Sequence, residues 1–186
     1  MNDKKVVEIK NLVKNYGAKD FQTRVLKGID LTIYQNDFIA VMGPSGSGKS
    51  TLLNILSTID QPTQGSVILD NKDITKVSNK ELSKLRRDKI GFVFQDYNLL
   101  DTMTLGDNIA LPLSLNGVSS TSCIQKTEEL SRIFGLREHL QKYPYQLSGG
   151  QKQRGAACRA LITDPEIIFA DEPTGASVSY THLTLP

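Results

Sequence analysis

Gly43-Pro44-Ser45-Gly46-Ser47-Gly48-Lys49-Ser50 fits the spacing G-x-x-x-x-G-K-[ST]. The three glycines leave the backbone free to curl through positive φ at little cost. Successive N–H groups then turn inward and form a nest for phosphate oxygens. A helix opening near Lys49 adds the positive end of its dipole. Lys49 is placed to reach β- and γ-phosphates and the Ser50 hydroxyl to bind Mg²⁺. Thr51, next along, belongs to the same nucleotide-binding set. A Gly/Ser-rich linker would share this composition, but the flanks argue for a strand-to-helix turn. Phe38-Ile39-Ala40-Val41-Met42 reads as a short buried parallel strand, and Thr51 to Leu56 as a buried helix.

A second segment, Leu147-Ser148-Gly149-Gly150-Gln151, has the S-x-x-Q form of a capping box. A helix is therefore predicted from Ser148 through Arg154 and Arg159 to about Ile162. Standing alone it would be an ordinary capped helix. Its two glycines also leave N–H groups and a positive dipole end uncovered, which suits an anion. The apolar run Ile167-Ile168-Phe169-Ala170 then leads into Asp171-Glu172. Such a run places both acids at the carboxyl end of a buried strand, where open α/β sheets bind ligands. Asp171 suits a carboxylate holding Mg²⁺ through water, and Glu172 a general base for the attacking water.

The elements that must position these residues are partly legible. The chain has 186 residues, enough for one domain with a proper core. Its net charge of +2 is too mild to argue for nucleic acid. The densest basic stretch, Lys84 to Lys89, is explained by a solvated helix face. Cys123 and Cys158 lack metal-like spacing and imply no disulfide framework. No apolar run approaches a membrane span, and Met1 to Lys10 has no signal-peptide core. Val6 to Ile9, Val25 to Ile33 and Gly65 to Leu69 read as strands, with turns at Asn15-Tyr16-Gly17 and at Asp70 to Asp73. Ser78-Asn79-Lys80-Glu81 is a capping box opening a short helix with Leu82 and Leu85 inward. Ile90 to Phe94 is a further buried strand. From Asp96 to Tyr145 the character turns helical, with Ile124, Thr127, Leu130 and Phe134 on one face and Gly135 as the stop.

The three motifs in this order resemble the nucleotide-binding subunit of an ABC transporter, from Val6 to about Gly175. That resemblance implies an α/β fold of the ABC ATPase type, a P-loop NTPase with a parallel core sheet, an antiparallel β subdomain and a helical insert at about 96–155. One nucleotide-binding domain would span 1–177. It further implies ATP and Mg²⁺ as cofactors and ATP hydrolysis as the activity. Tyr16 matches the aromatic that stacks on adenine. Gln95, after the strand ending at Phe94, matches the Q-loop glutamine that ligands Mg²⁺ and water. Ser148, Gly149, Gly150 and Gln151 match the signature motif, which in the family closes over the γ-phosphate held by a second protomer. The implied partners are a second copy in a head-to-tail dimer and an integral membrane permease. No nucleic acid is expected, and the place is the cytoplasmic face of the membrane.

The segment Phe94 to Thr104, with Gly150 to Arg154 and Phe169 to Ala176, resembles the ATPases of bacitracin-type antimicrobial peptide transporters. Alternatives are the related macrolide-export, lipoprotein-release and cell-division ATPases, a soluble ABC ATPase acting on nucleic acid or ribosomes, and a fragment that binds nucleotide without turnover. The last arises from the tail. The family continues after Pro173-Thr174-Gly175-Ala176 with a Leu-Asp step, a helix, and a strand ending in a switch histidine. Here Val178 to Pro186 resembles translated sequencing-adapter sequence, and His182 lies too close to Glu172 to be the switch. The expectation is a truncated chain with a non-native tail at 178–186. A core strand beside Phe38 to Met42 would then be missing, leaving a gap or makeshift pairing there.

Overall fold

The computed structural model describes residues 4–18 and 21–172. The chain divides into two compact units, Met1–Ile90 and Gly91–Pro186. The tail expectations, and those on Pro173 to Ala176, lie outside the described residues.

The first unit is built on a four-stranded antiparallel sheet in the order β2-β1-β3-β4. Its strands are β1 (Lys5–Tyr16), β2 (Thr23–Tyr34), β3 (Gln64–Leu69) and β4 (Lys72–Asp73). Central β1 buries Val6, Val7, Ile9, Leu12 and Val13. The break in alternation between Ile9 and Leu12 falls where its register shifts and Asn11 takes a positive φ of 44°. The expected turn at Asn15-Tyr16-Gly17 begins only at Gly17. Asn15 and Tyr16 still pair with Arg24 and Thr23, so Tyr16 ends a strand. The turn at Asp70-Asn71 joins β3 to β4 with both residues at positive φ, as a two-residue hairpin requires.

Two helices complete this unit, α1 (Lys49–Leu56) and α2 (Asn79–Lys89). α1 buries Leu52, Ile55 and Leu56. α2 opens on the expected capping box, with both reciprocal bonds between Ser78 and Glu81 present, and buries Leu82.

Phe38 to Met42 departs from its reading as a buried strand. The segment carries no strand, and Phe38 and Met42 are almost fully exposed, at 97% and 82%. A strand exists only through the ladder that satisfies its N–H and C=O groups. No strand among the described residues pairs with this segment, so its apolar side chains stay in solvent.

The second unit holds β5 (Ile90–Val93, entering from the unit boundary) paired with β6 (Ile167–Ala170). These two are the strands of the expected core sheet that the described residues contain. β6 is less buried than its composition suggests, since Ile168 is half exposed while Phe169 is covered. Between them run α3 (Leu105–Leu115), α4 (Ser120–Ile133), two short 3-10 turns and α5 (Gly149–Leu161). Their core is Leu105, Ile109, Leu113, Cys123, Leu136, Leu147, Cys158 and Ile162. The expected stripe on α4 holds at Thr127, which is buried, and at Leu130 and Phe134, which pack against this core, and fails at its first residue: Cys123 faces in and Ile124 is 60% exposed. Cys123 joins the cluster that holds Leu113 and Leu136, so at the start of α4 the cysteine takes the inward place expected of the isoleucine. Gly135 follows the α4 cap with φ 63°, stopping the helix as expected. Both cysteines are free and buried, and burial pushes the Cys158 thiol up to about 12.

Candidate nucleotide site

In the first unit, Gly43 to Ser50 forms an exposed loop entering α1. Gly46 and Gly48 take φ of 77° and 95°, which L side chains adopt only at a cost. A Cβ on Gly43 would lie 2.8 Å from Ser47 Oγ, so glycine there lets the loop close on itself. Ser47 N donates to Pro44 O at 3.2 Å, tightening the turn. The Lys49 ammonium folds back to donate to Gly43 O at 2.9 Å and Pro44 O at 3.0 Å. α1 begins at Gly48 with no side-chain cap and no acidic residue in its first turn. The first N–H groups of a helix have no intrahelical acceptor. The loop thus presents donors, a dipole end and a cation together, and the chemistry of that set fits phosphate.

Tyr16 stands in the same unit, 42% exposed at the end of β1. Its hydroxyl donates to Asp60 Oδ2 at 2.7 Å. Burial, then the Asp60 bond, raises its pKa, and the Thr51 hydroxyl in the first turn of α1 pulls the other way. Thr51 and Tyr16 are therefore neighbours. Lys14 and Asp60, absent from the sequence reading, also belong to this cluster. Lys14 lies two residues before Tyr16, hence on the same strand face, a signal that alternation offers. Asp60 carried no local signal.

In the second unit, Gln95 is exposed on the turn after β5. Asp171 follows β6, and its N–H donates to Val93 O at 3.0 Å, so the two strand ends lie side by side. Asp171 is half-buried, while Glu172 is exposed and held at φ 45°. The loop after Gln95 passes through Tyr97 and Asn98, both at positive φ. Arg159 of α5 donates to both of their carbonyls, at 2.7 and 2.5 Å, and burial lowers its pKa. Asn108, fully buried, fixes the continuing segment by bonds to Leu100, Met103 and Thr104.

α5 opens on the expected capping box. Ser148 Oγ accepts from Gln151 N at 3.3 Å, and Gln151 Oε1 accepts from Ser148 N at 2.8 Å. Gly149 and Gly150 occupy the first helical turn. A Cβ on Gly149 would meet only the Tyr97 hydroxyl, at 3.6 Å.

The ABC transporter family model matches residues 26–175. A bacitracin export ATP-binding protein of Halalkalibacterium halodurans is 47% identical over 92% of this chain and 68% of its own length. A macrolide export ATP-binding/permease protein of Marinobacter nauticus is 45% identical over 95% of this chain, which spans 27% of that protein. The cassette MJ0796, solved as a dimer in a post-hydrolysis state with ADP and Pi, superposes with a TM-score of 0.87 at 42% identity. That match covers 93% of this chain and 76% of that one. A glycine-lined loop ahead of an uncapped helix, a self-capped Ser-Gly-Gly-Gln helix and an acidic strand end are thus joined in one sequence of matching fold: the chain belongs to the ABC transporter family, as an ATP-binding cassette of its ATPases.

Proposed function

We propose that this cassette hydrolyses ATP to drive a membrane permease that exports or detoxifies peptide antibiotics. The observation that carries the reading is the uncapped, cation-topped start of α1, a site built for a polyphosphate, in a chain similar to a bacitracin export protein. In this reading Gly43, Pro44, Ser45, Gly46, Ser47 and Gly48 cradle the phosphates with Lys49, Ser50 and Thr51. Tyr16 receives the adenine. In this reading the Ser50 hydroxyl, Gln95 and, through water, Asp171 would hold Mg²⁺, which would supply charge neutralisation at the phosphates. The described residues hold no cluster of three or more His, Cys, Asp or Glu. That suits an ion bound mainly through substrate phosphates and water. Glu172 polarises the attacking water, and its positive φ is the kind of strain found at functional positions.

Two copies close head to tail, so that Ser148, Gly149, Gly150 and Gln151 of one act on the γ-phosphate of the other. Among the described residues no helix is long and apolar enough to cross a membrane. The membrane link in this reading is the permease, with the cassette peripheral at the cytoplasmic face. The domain in this reading is 1–177, with the helical insert at about 96–155.

Full-length protomers carrying Lys49→Ala, mixed with protomers carrying Ser148→Arg, test the arrangement in trans. One composite site is then doubly damaged and the other intact. Turnover recovered in the mixture and absent from each variant alone is expected. Demonstrated hybrid dimers without recovery count against it. Glu172→Gln should keep ATP binding, stop hydrolysis and hold the full-length dimer closed in gel filtration with ATP. Continued turnover from monomers removes Glu172 as the base.

A second reading is favoured by the 45% identity to the macrolide export protein. Co-expression of the full-length protein with its permease in a sensitive host separates the two. A raised inhibitory concentration of bacitracin supports the first, and of a macrolide the second.

A further inference from the structure

The Tyr16 ring is held by a cluster with no counterpart among the sequence motifs. Its hydroxyl donates to Asp60 Oδ2 at 2.7 Å. The other Asp60 oxygen accepts from Lys14 Nζ at 2.7 Å and from the Gln61 N–H at 2.7 Å. Lys14 Nζ also donates to Gln61 O at 2.7 Å. The Lys14–Asp60 pair is largely withdrawn from water, with side chains 12% and 29% exposed. The same ammonium lies 4.8 Å from the centre of the Tyr16 ring. A cation at that distance binds a ring face. One face of Tyr16 is thereby covered, while the residue as a whole remains 42% exposed.

Asp60 is itself anchored to the helix that carries the phosphate loop. The N–H groups of Ile59 and Asp60 both donate to Asn54 O of α1, at 2.8 and 3.0 Å. The ring, its anchor and the loop that opens α1 are therefore referred to one helix.

We propose that Asp60 is a positioning residue for the nucleobase: with Lys14 it fixes the Tyr16 ring relative to α1, closing one face and leaving the other to stack on a purine. This rests on the reading of Tyr16 as the base platform. Asp60 touches no nucleotide atom. Its charge draws Lys14 onto the ring, and its second oxygen stops the phenol from swinging. A pinned ring pays less ordering cost when a base arrives.

The test measures binding of ATP and of inorganic tripolyphosphate to the full-length protein by titration calorimetry. Tyr16→Phe keeps the ring and removes only the Asp60 bond. Asp60→Ala removes the anchor, and Tyr16→Ala the platform. The net worth of one ordinary hydrogen bond sets the scale, so Tyr16→Phe and Asp60→Ala should each weaken ATP about fivefold to tenfold. Neither should change tripolyphosphate binding, and the double variant should be no weaker than the worse single. If Asp60→Ala does not fold, Tyr16→Phe decides alone. Equal loss for ATP and tripolyphosphate assigns Asp60 a merely structural role and overturns the proposal. So does wild-type ATP binding by Tyr16→Phe and Asp60→Ala while Tyr16→Ala binds weakly, with the platform reading left standing. Unchanged ATP binding by Tyr16→Ala removes the platform reading and the proposal with it.

Discussion

Two helices in this protein have glycine and serine at their starts, and their first turns are built in opposite ways. α1 starts from Gly48 in the left-handed region, without a side-chain acceptor and without an acidic residue in its first turn. α5 starts from Ser148 in extended geometry, and its own residues bond to one another through Ser148 and Gln151. The first arrangement leaves donors for a ligand to satisfy, at the expense of local stability. The second is complete in itself and presents Gly149 and Gly150 without side chains in the way. The contrast fits the two proposed tasks. A loop that must envelop a charged chain of phosphates stays unsatisfied until they arrive. A motif that presses on one phosphate from outside needs a start that is already rigid.

The largest separation between the two should come from Lys49→Ala. The ammonium now rests on the Gly43 and Pro44 carbonyls, a contact it can exchange for phosphate oxygens. Its loss removes the side-chain cation that bonds to this loop and should lower turnover of the full-length protein by about 100-fold or more. Turnover within a few-fold of wild type would show that α1 needs no cation to complete it, and would break the comparison at its strongest point.

Glycine replacements sharpen it next. Alanine at 48 must hold φ 95° and would place its Cβ 3.0 Å from Leu26 and Val25 side-chain atoms. Holding an L residue there costs roughly 1–2 kcal/mol. Urea unfolding of Gly48→Ala should show that loss. Alanine at 149 meets only an ordinary contact, with Tyr97. It should be neutral or gain up to about 0.5–1 kcal/mol, yet lower turnover, because the bare helix start is what the proposed partner site uses. Equal destabilisation at both positions would make the two starts alike.

What sequence reveals about such sites depends on how local the physics is. The boxes at Ser78 and Ser148 were legible because both partners lie within one helical turn. The glycines of 43–48 were legible because backbone freedom is a property of the residue. Phe38 to Met42 does not form the buried strand its composition suggests but lies unpaired, as the expected gap beside it requires, because burial of a strand depends on a neighbouring strand. Ile124 was misread because a helix face is decided by its partners, here those that receive Cys123. Asp60 was invisible because its bonds reach 44 and 46 residues back along the chain.

The smallest effect separates two boxes of the same design. In α2 the third helical residue is Glu81, whereas in α5 it is Gln151. Glu81 accepts from Lys72 Nζ at 2.9 Å and from Ser78 N at 3.1 Å. The Lys72 bond, then those from Ser78, hold its carboxyl down at about 2, against an ordinary 4.5. A group whose pKa is lowered by folding contributes stability above its unfolded value and loses it as pH falls through the folded one. The start of α2 should therefore loosen between about pH 4.5 and 2, while the amide of Gln151 has no proton of its own to gain, its nitrogen lying 2.9 Å from His139 Nε2. Amide hydrogen exchange at Glu81 and Gln151, corrected for intrinsic rates, reads both ends in one sample. The difference should be slight, because Glu81 is exposed and its ion pair is screened. Glu81→Gln should abolish it by making the two boxes alike. Parallel acid sensitivity at Gln151 would show that the α5 start answers to a titrating group outside its own box.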